Sequence, residues 1–127
     1  MGFKISGIEV PPISEKVKTL GSQSYQIEAE DDGFFISYTG STNSTFTING
    51  EKTTRYLDNT TITIEQASSG QVTLVGGVIA VTINTLGSLT TRRQGSVITL
   101  KRISTNNWVV YGDTIDNSNM AMIIALS

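Results

Sequence analysis

The chain has 127 residues, a formal charge of −2, and neither cysteine nor histidine. Disulfides, thiol nucleophiles, imidazole metal ligands and His-based triads are thereby excluded, and most hydrolytic mechanisms go with them. An isoelectric point near 5.0 argues against a binder of the phosphate backbone, which would concentrate Lys and Arg on one face, so no nucleic-acid partner is expected.

In chain order, residues 1–20 form an arm of their own. Phe3, Ile5, Ile8, Val10, Ile13, Val17 and Leu20 are scattered among polar residues around Pro11-Pro12. Two prolines in succession cannot donate to a sheet ladder and hold the backbone extended. So many apolar residues suit an arm that packs on a neighbour better than a solvated leader. From Gly21 the period becomes two. Tyr25 and Ile27 alternate with Gln26 and Glu28, and Asp31-Asp32-Gly33 has the turn chemistry of a hairpin into Phe34–Tyr38. A strand at Thr45–Ile48 ends in Asn49-Gly50, a tight-turn signal, and a polar connection at 51–60 is anchored by Tyr56 and Leu57. Thr61–Glu65, Gln71–Val75 and Val78–Ile83 follow, separated by Ser68-Ser69-Gly70 and Gly76-Gly77. After a looser stretch come Ser96–Ile103 and Trp108–Tyr111, joined through Thr105-Asn106-Asn107.

Roughly eight to ten short strands with no competing helical period predict an all-β domain over residues 21–113, a single antiparallel sandwich or barrel. No motif recurs at a fixed period, which argues against a solenoid. The expected core is Ile62, Ile64, Val72, Leu74, Val81, Ile83, Ile98, Leu100 and Trp108. Residues 114–127 are an extension. Its apolar run, Met120 to Leu126, falls far short of the ~20 residues of a membrane helix. The N-terminus lacks the basic-then-apolar pattern of a secretory signal. Neither membrane nor export is expected.

Four candidate sites stand out. Trp108, the single tryptophan, could stack on sugar, but its alternation with Val109 and Tyr111 places it in the core. Glu28, Glu30, Asp31 and Asp32 lack the spacing of a calcium loop or the separation of a glycosidase pair, and read as a turn with solvated charge. Arg92-Arg93 and Lys101-Arg102 would form a positive stripe if their segments paired, suited to an acidic partner surface or to protecting a sheet edge. Asn43-Ser44-Thr45 and Asn59-Thr60-Thr61 match the glycosylation acceptor pattern but read as ordinary Thr-rich strand text. No catalytic, metal or cofactor site is expected.

Three stretches carry a resemblance: Tyr25 to Ile36, YQIEAEDDGFFI; Ile62 to Thr73, ITIEQASSGQVT; and Thr99 to Asp113, TLKRISTNNWVVYGD. With the apolar alternation at Val78–Ile83, they resemble a small β-domain that recurs in structural proteins of tailed bacteriophages, at fibre ends and in head decoration proteins. The likeness covers roughly residues 24–113. It implies a virion structural protein, assembled in the host cytoplasm and not an enzyme. Because nearly the whole chain is domain, the expectation is a capsid decoration or cement protein that binds the outer shell and stabilises it, with the major capsid protein as partner and a homotrimer as its state. Its contacts are expected at Phe3, Ile5, Ile8, Val10, Ile13, Arg92 and Arg93. The alternative is a tail-fibre tip recognising host surface polysaccharide. Nothing in the sequence recommends a small carbohydrate-active enzyme.

Overall fold

Apolar–polar alternation becomes strand almost wherever it occurs. The structure is a computed structural model that describes residues 3–5, 8–10, 16–77 and 81–116, the first two stretches as backbone alone. The strands are β1 (Phe3–Ile5), β2 (Ile8–Val10), β3 (Lys16–Leu20), β4 (Ser24–Gln26), β5 (Phe34–Tyr38) and β6 (Ser44–Ile48). They continue as β7 (Thr61–Gln66), β8 (Val72–Gly76), β9 (Thr82–Asn84), β10 (Val97–Ser104) and β11 (Asn107–Gly112). One 3-10 turn, Ala29–Asp31, is the only helical element among the described residues. The protein is all-β.

The pairing is not that of an antiparallel sandwich or barrel. β3, β5 and β7 lie side by side in parallel, and so do β4, β6 and β8 in a second sheet. The chain therefore crosses between the two sheets at every step, β3 to β4, β5 to β6, β7 to β8. It builds three stacked coils, a solenoid-like arrangement. Within the larger sheet antiparallel pairing enters only after the coils: β10 joins β7, β11 joins β10, and β9 returns parallel to β11, giving the order β3-β5-β7-β10-β11-β9. The expectation of no solenoid fails for a definite reason. Lys16 lies beside Phe34 and Phe35 beside Thr63, offsets of 18 and then 28 residues. The coils are unequal, so no fixed period exists to be seen.

The turn signals are real but make corners, not hairpins. Asp31-Asp32-Gly33 passes the chain from one sheet to the other, with Gly33 at φ 80°. β4 and β5, the expected hairpin, do not pair. At Ser68-Ser69-Gly70 the corner of the third coil rests on that of the second: Gly70 N–H donates to the Gly40 carbonyl at 3.1 Å, and Ala67 N–H to that of Tyr38 at 2.8 Å. A Cβ on Gly70 would collide with the Thr42 carbonyl, so this close approach requires glycine.

Between the sheets lies one core. Ile36, Tyr38, Ile62, Ile64, Ile98, Leu100, Trp108 and Val110 come from the larger sheet, and Phe46, Ile48, Val72 and Leu74 from the smaller, with Ile27 and Tyr56 added from connections. Val81 and Ile83 are half-buried at its margin. Burying each large side chain contributes about 1.5–3 kcal/mol, so this row of alternate residues is the main source of stability. Leu57, expected as an anchor beside Tyr56, is 63% exposed. Buried polar groups tie the coils laterally. Gln66, at the end of β7, accepts from the Thr91 hydroxyl at 2.7 Å, while Val72 N–H donates to that same hydroxyl oxygen at 2.8 Å. The Gln and Gly of the Ile62–Thr73 stretch are thus corner-packing residues.

The arm boundary also moves. Lys16–Leu20 is the outermost strand of the six-stranded sheet, paired along its length with β5. Upstream, β1 and β2 form a short antiparallel hairpin with Phe3 opposite Val10 and Ile5 opposite Ile8. Ile13, Pro11 and Pro12 lie outside the described residues. So does the apolar run 120–126, although the extension begins by pairing back on the domain, with Thr91 bridged to Thr114 and Ile115 N–H donating to the Thr90 carbonyl at 2.9 Å.

Candidate functional site

The inward row of β10 reads Ile98, Leu100, Arg102, so an arginine stands where alternation calls for an apolar residue. Arg102 is buried, 8% exposed. A guanidinium taken from water needs full pairing, and the excursion between β6 and β7 supplies it. Glu51 accepts from Nε at 2.9 Å and from Nη2 at 3.1 Å, and Asp58 accepts from Nη1 at 3.0 Å. Glu51 also accepts from Asn106 N–H, and its own N–H donates to Asn106 Oδ1, both at 2.9 Å. The turn between β10 and β11 is thereby clasped to the 49–60 excursion. The hydrogen bonds from Arg102 hold the Glu51 carboxyl below its ordinary value, so it stays ionised at neutral pH.

This clasp walls a cleft of about 390 Å³, whose rim carries Lys52, Arg55 and Thr105 and whose floor includes Tyr56. Tyr56 stands edge-on to Trp108, ring centroids 4.9 Å apart at 89°, and donates its hydroxyl to the Ile27 carbonyl at 2.9 Å. Trp108 is fully buried and its indole N–H has no hydrogen-bond partner. It is a core side chain, enclosed on the sheet's inner face, rather than a sugar platform. Because Glu51 and Asp58 share one guanidinium, the carboxylates of the cleft act as structural acceptors.

The carboxylate cluster before Gly33 differs from its expected solvated state. Glu28 and Glu30 are exposed, but Asp31 is fully buried. It accepts from Lys18 Nζ at 2.5 Å, from Tyr25 Oη at 2.6 Å and from Glu28 N–H at 2.9 Å. Asp32 accepts from Thr61 N–H at 3.0 Å, fixing the corner to β7. Lys18 further lies 5.1 Å from the Phe34 ring centroid, a cation–π contact. The first coil is therefore locked by a charged network joining β3, β4 and the 3-10 turn. No group of three or more His, Cys, Asp or Glu side chains able to hold a metal occurs among the described residues.

That network predicts an alkaline weakness. The hydrogen bond to Asp31 raises the Lys18 ammonium above its ordinary 10.5, and burial followed by the bond to Asp31 pushes the Tyr25 hydroxyl from 10.0 up to about 12. Groups whose folded values are raised contribute fully below the unfolded value and lose that contribution as pH climbs past it. Thermal stability should fall steeply between pH 10 and 12, followed by circular dichroism. Tyr25→Phe should flatten that fall, and an unchanged slope in the variant would refute the assignment.

The basic residues do not make a stripe. Arg92 and Arg93 lie in the turn before β10, where Arg92 pairs with Asp113 at 3.0 Å, and Arg102 points inward. Lys101 alone faces out from β10, its ammonium 3.3 Å from the Thr61 hydroxyl. Of the expected contact residues, Phe3, Ile5, Ile8 and Val10 fall in the β1–β2 hairpin, separate in sequence from Arg92 and Arg93. The one sequence signal for the clasp was a charged residue at an inward position of a strongly alternating strand. No family model, no curated protein and no solved structure matches this chain.

Proposed function

We propose that this chain is a bacteriophage virion structural protein, a decoration or cement protein that binds the outside of the capsid as a homotrimer, with the major capsid protein as its partner. The observation that carries the reading is where the charged side chains go. Lys18 with Asp31, Arg102 with Glu51 and Asp58, and Arg92 with Asp113 all join a strand or turn to a segment distant in sequence. That is the construction of a stiff mechanical part. The resemblance of the Tyr25–Ile36, Ile62–Thr73 and Thr99–Asp113 stretches to tailed-phage domains supplies the virion setting. Hydroxyl- and amide-rich outer faces suit a crowded assembly, and sheet faces with apolar patches offer the contacts.

A cement protein works by mass action. It binds the assembled shell and not the dispersed subunits, so it stabilises the particle increasingly as its concentration exceeds the dissociation constant. Particles lacking the protein should release their DNA at lower temperature or milder osmotic shock while adsorbing to cells normally, measured by dye access to DNA and by plaque adsorption. Particles that are equally robust but fail to adsorb would overturn the decoration reading in favour of a fibre tip.

A further inference from the structure

The outer face of the six-stranded sheet carries a row of half-buried and exposed side chains. Strand register sets Val17, Phe35, Thr63, Thr99 and Tyr111 in one row across five strands. The flanking row places Glu65 beside Val97, and the row on the other side places Lys101 beside Val109. Val17 is 55% exposed, Tyr111 53% and Val97 39%, with Phe35 and Val109 half-buried. Val17 with Phe35, and Val97 with Val109 and Tyr111, form two apolar clusters on one face, joined across β7 and β10 by the hydroxyls of Thr63 and Thr99, and a mixed face of this kind suits an interaction surface.

We propose that this face is the surface through which copies of this chain associate, with Glu65 of one copy meeting Lys101 of the next. The occupant follows from charge and size. Among the described outward residues of the sheet, Glu65 and Lys101 are the only charged ones, one of each sign. A strongly acidic or basic partner would find no complement on so balanced a face, whereas a second copy presents the matching pair. Both charges already lie flat against neighbouring hydroxyls, Glu65 accepting from Ser37 at 2.9 Å and Lys101 reaching Thr61, so close approach is not obstructed by long free side chains. The five strands β3, β5, β7, β10 and β11, spaced ~4.8 Å apart, span about 19 Å, and their five to eight residues at ~3.3 Å run about 17–26 Å. The resulting footprint of roughly 320–500 Å² per copy is below the ~800 Å² per partner of a standard interface and fits a weak, concentration-dependent association.

The proposal deepens the oligomer part of the function proposed above and is tested on the purified protein, without capsids. Sedimentation equilibrium over a wide concentration range should show an oligomer for the natural chain and monomer mass for Val97→Asp and Tyr111→Lys, with far-UV circular dichroism unchanged because both residues face outward. Glu65→Lys and Lys101→Glu should each weaken association, and the two together should restore it. A natural chain that is monomeric at every concentration would overturn the proposal, as would an oligomer that survives both apolar substitutions. A protein that stays monomeric yet coats capsids sinks this inference alone. An oligomer that requires this face but ignores capsids upholds it and sinks the decoration reading.

Discussion

Replacing Trp108 with Ala should destabilise the protein by about 3–5 kcal/mol, the range for large aromatic truncations in cores. Trp108 is fully buried on the inner face of β11, opposite Arg102 on β10 and beside Ile83 on β9. The loss would combine its transfer energy with a cavity at the junction of three strands and the end of the edge-on contact with Tyr56. Trp108→Phe should cost less than Ala, because it retains most of the apolar volume and removes an indole N–H that has no partner. Urea denaturation gives the free energies. Native fluorescence should be blue-shifted and poorly quenched by iodide, and ready quenching with an undiminished melting temperature in Trp108→Ala would contradict the packing.

Glu51→Ala should cost about 2–3 kcal/mol, because it removes two hydrogen bonds from Arg102 and one from Asn106 N–H and leaves the guanidinium only Asp58 and Thr105. The asymmetry within the clasp sharpens the expectation. The Glu51 side chain is 11% exposed and that of Asp58 94%, so Asp58→Asn should cost at most about 1 kcal/mol. Combining Glu51→Ala with Arg102→Met should recover much of the loss, since an apolar side chain then occupies the inward position. The Glu51 carboxyl is held below 4.5, so its contribution is present above that pH and fades as pH falls through the lowered value. Equal urea midpoints for Glu51→Ala and the natural chain, measured at neutral pH, would show that the clasp does not support the fold.

The two cases also mark how far the sequence reaches. Alternation of Ile62 with Ile64, Val72 with Leu74, and Ile98, Leu100 and Trp108 across two strands reveals strands and their buried sides, because period two follows directly from backbone geometry. Partner choice does not. Asp-Gly and Ser-Gly serve a hairpin and a corner equally well, since each supplies turn dihedrals and neither states where the next strand lies. The insertion of 49–60 lengthens the second coil and erases any repeat. Asp31 illustrates the same gap at a single residue: its partner Lys18 is 13 positions upstream, in what reads as an arm until β3 is seen to pair with β5. Arg102 was accessible in principle, as the charged member of an otherwise apolar inward row, but its carboxylates sit 51 and 44 residues away.

Imaging of virions carrying a labelled form of this protein tests the proposed function most directly. A decoration protein predicts density in tens to hundreds of copies spread over the capsid surface. Density confined to a few copies at the tail would contradict that account.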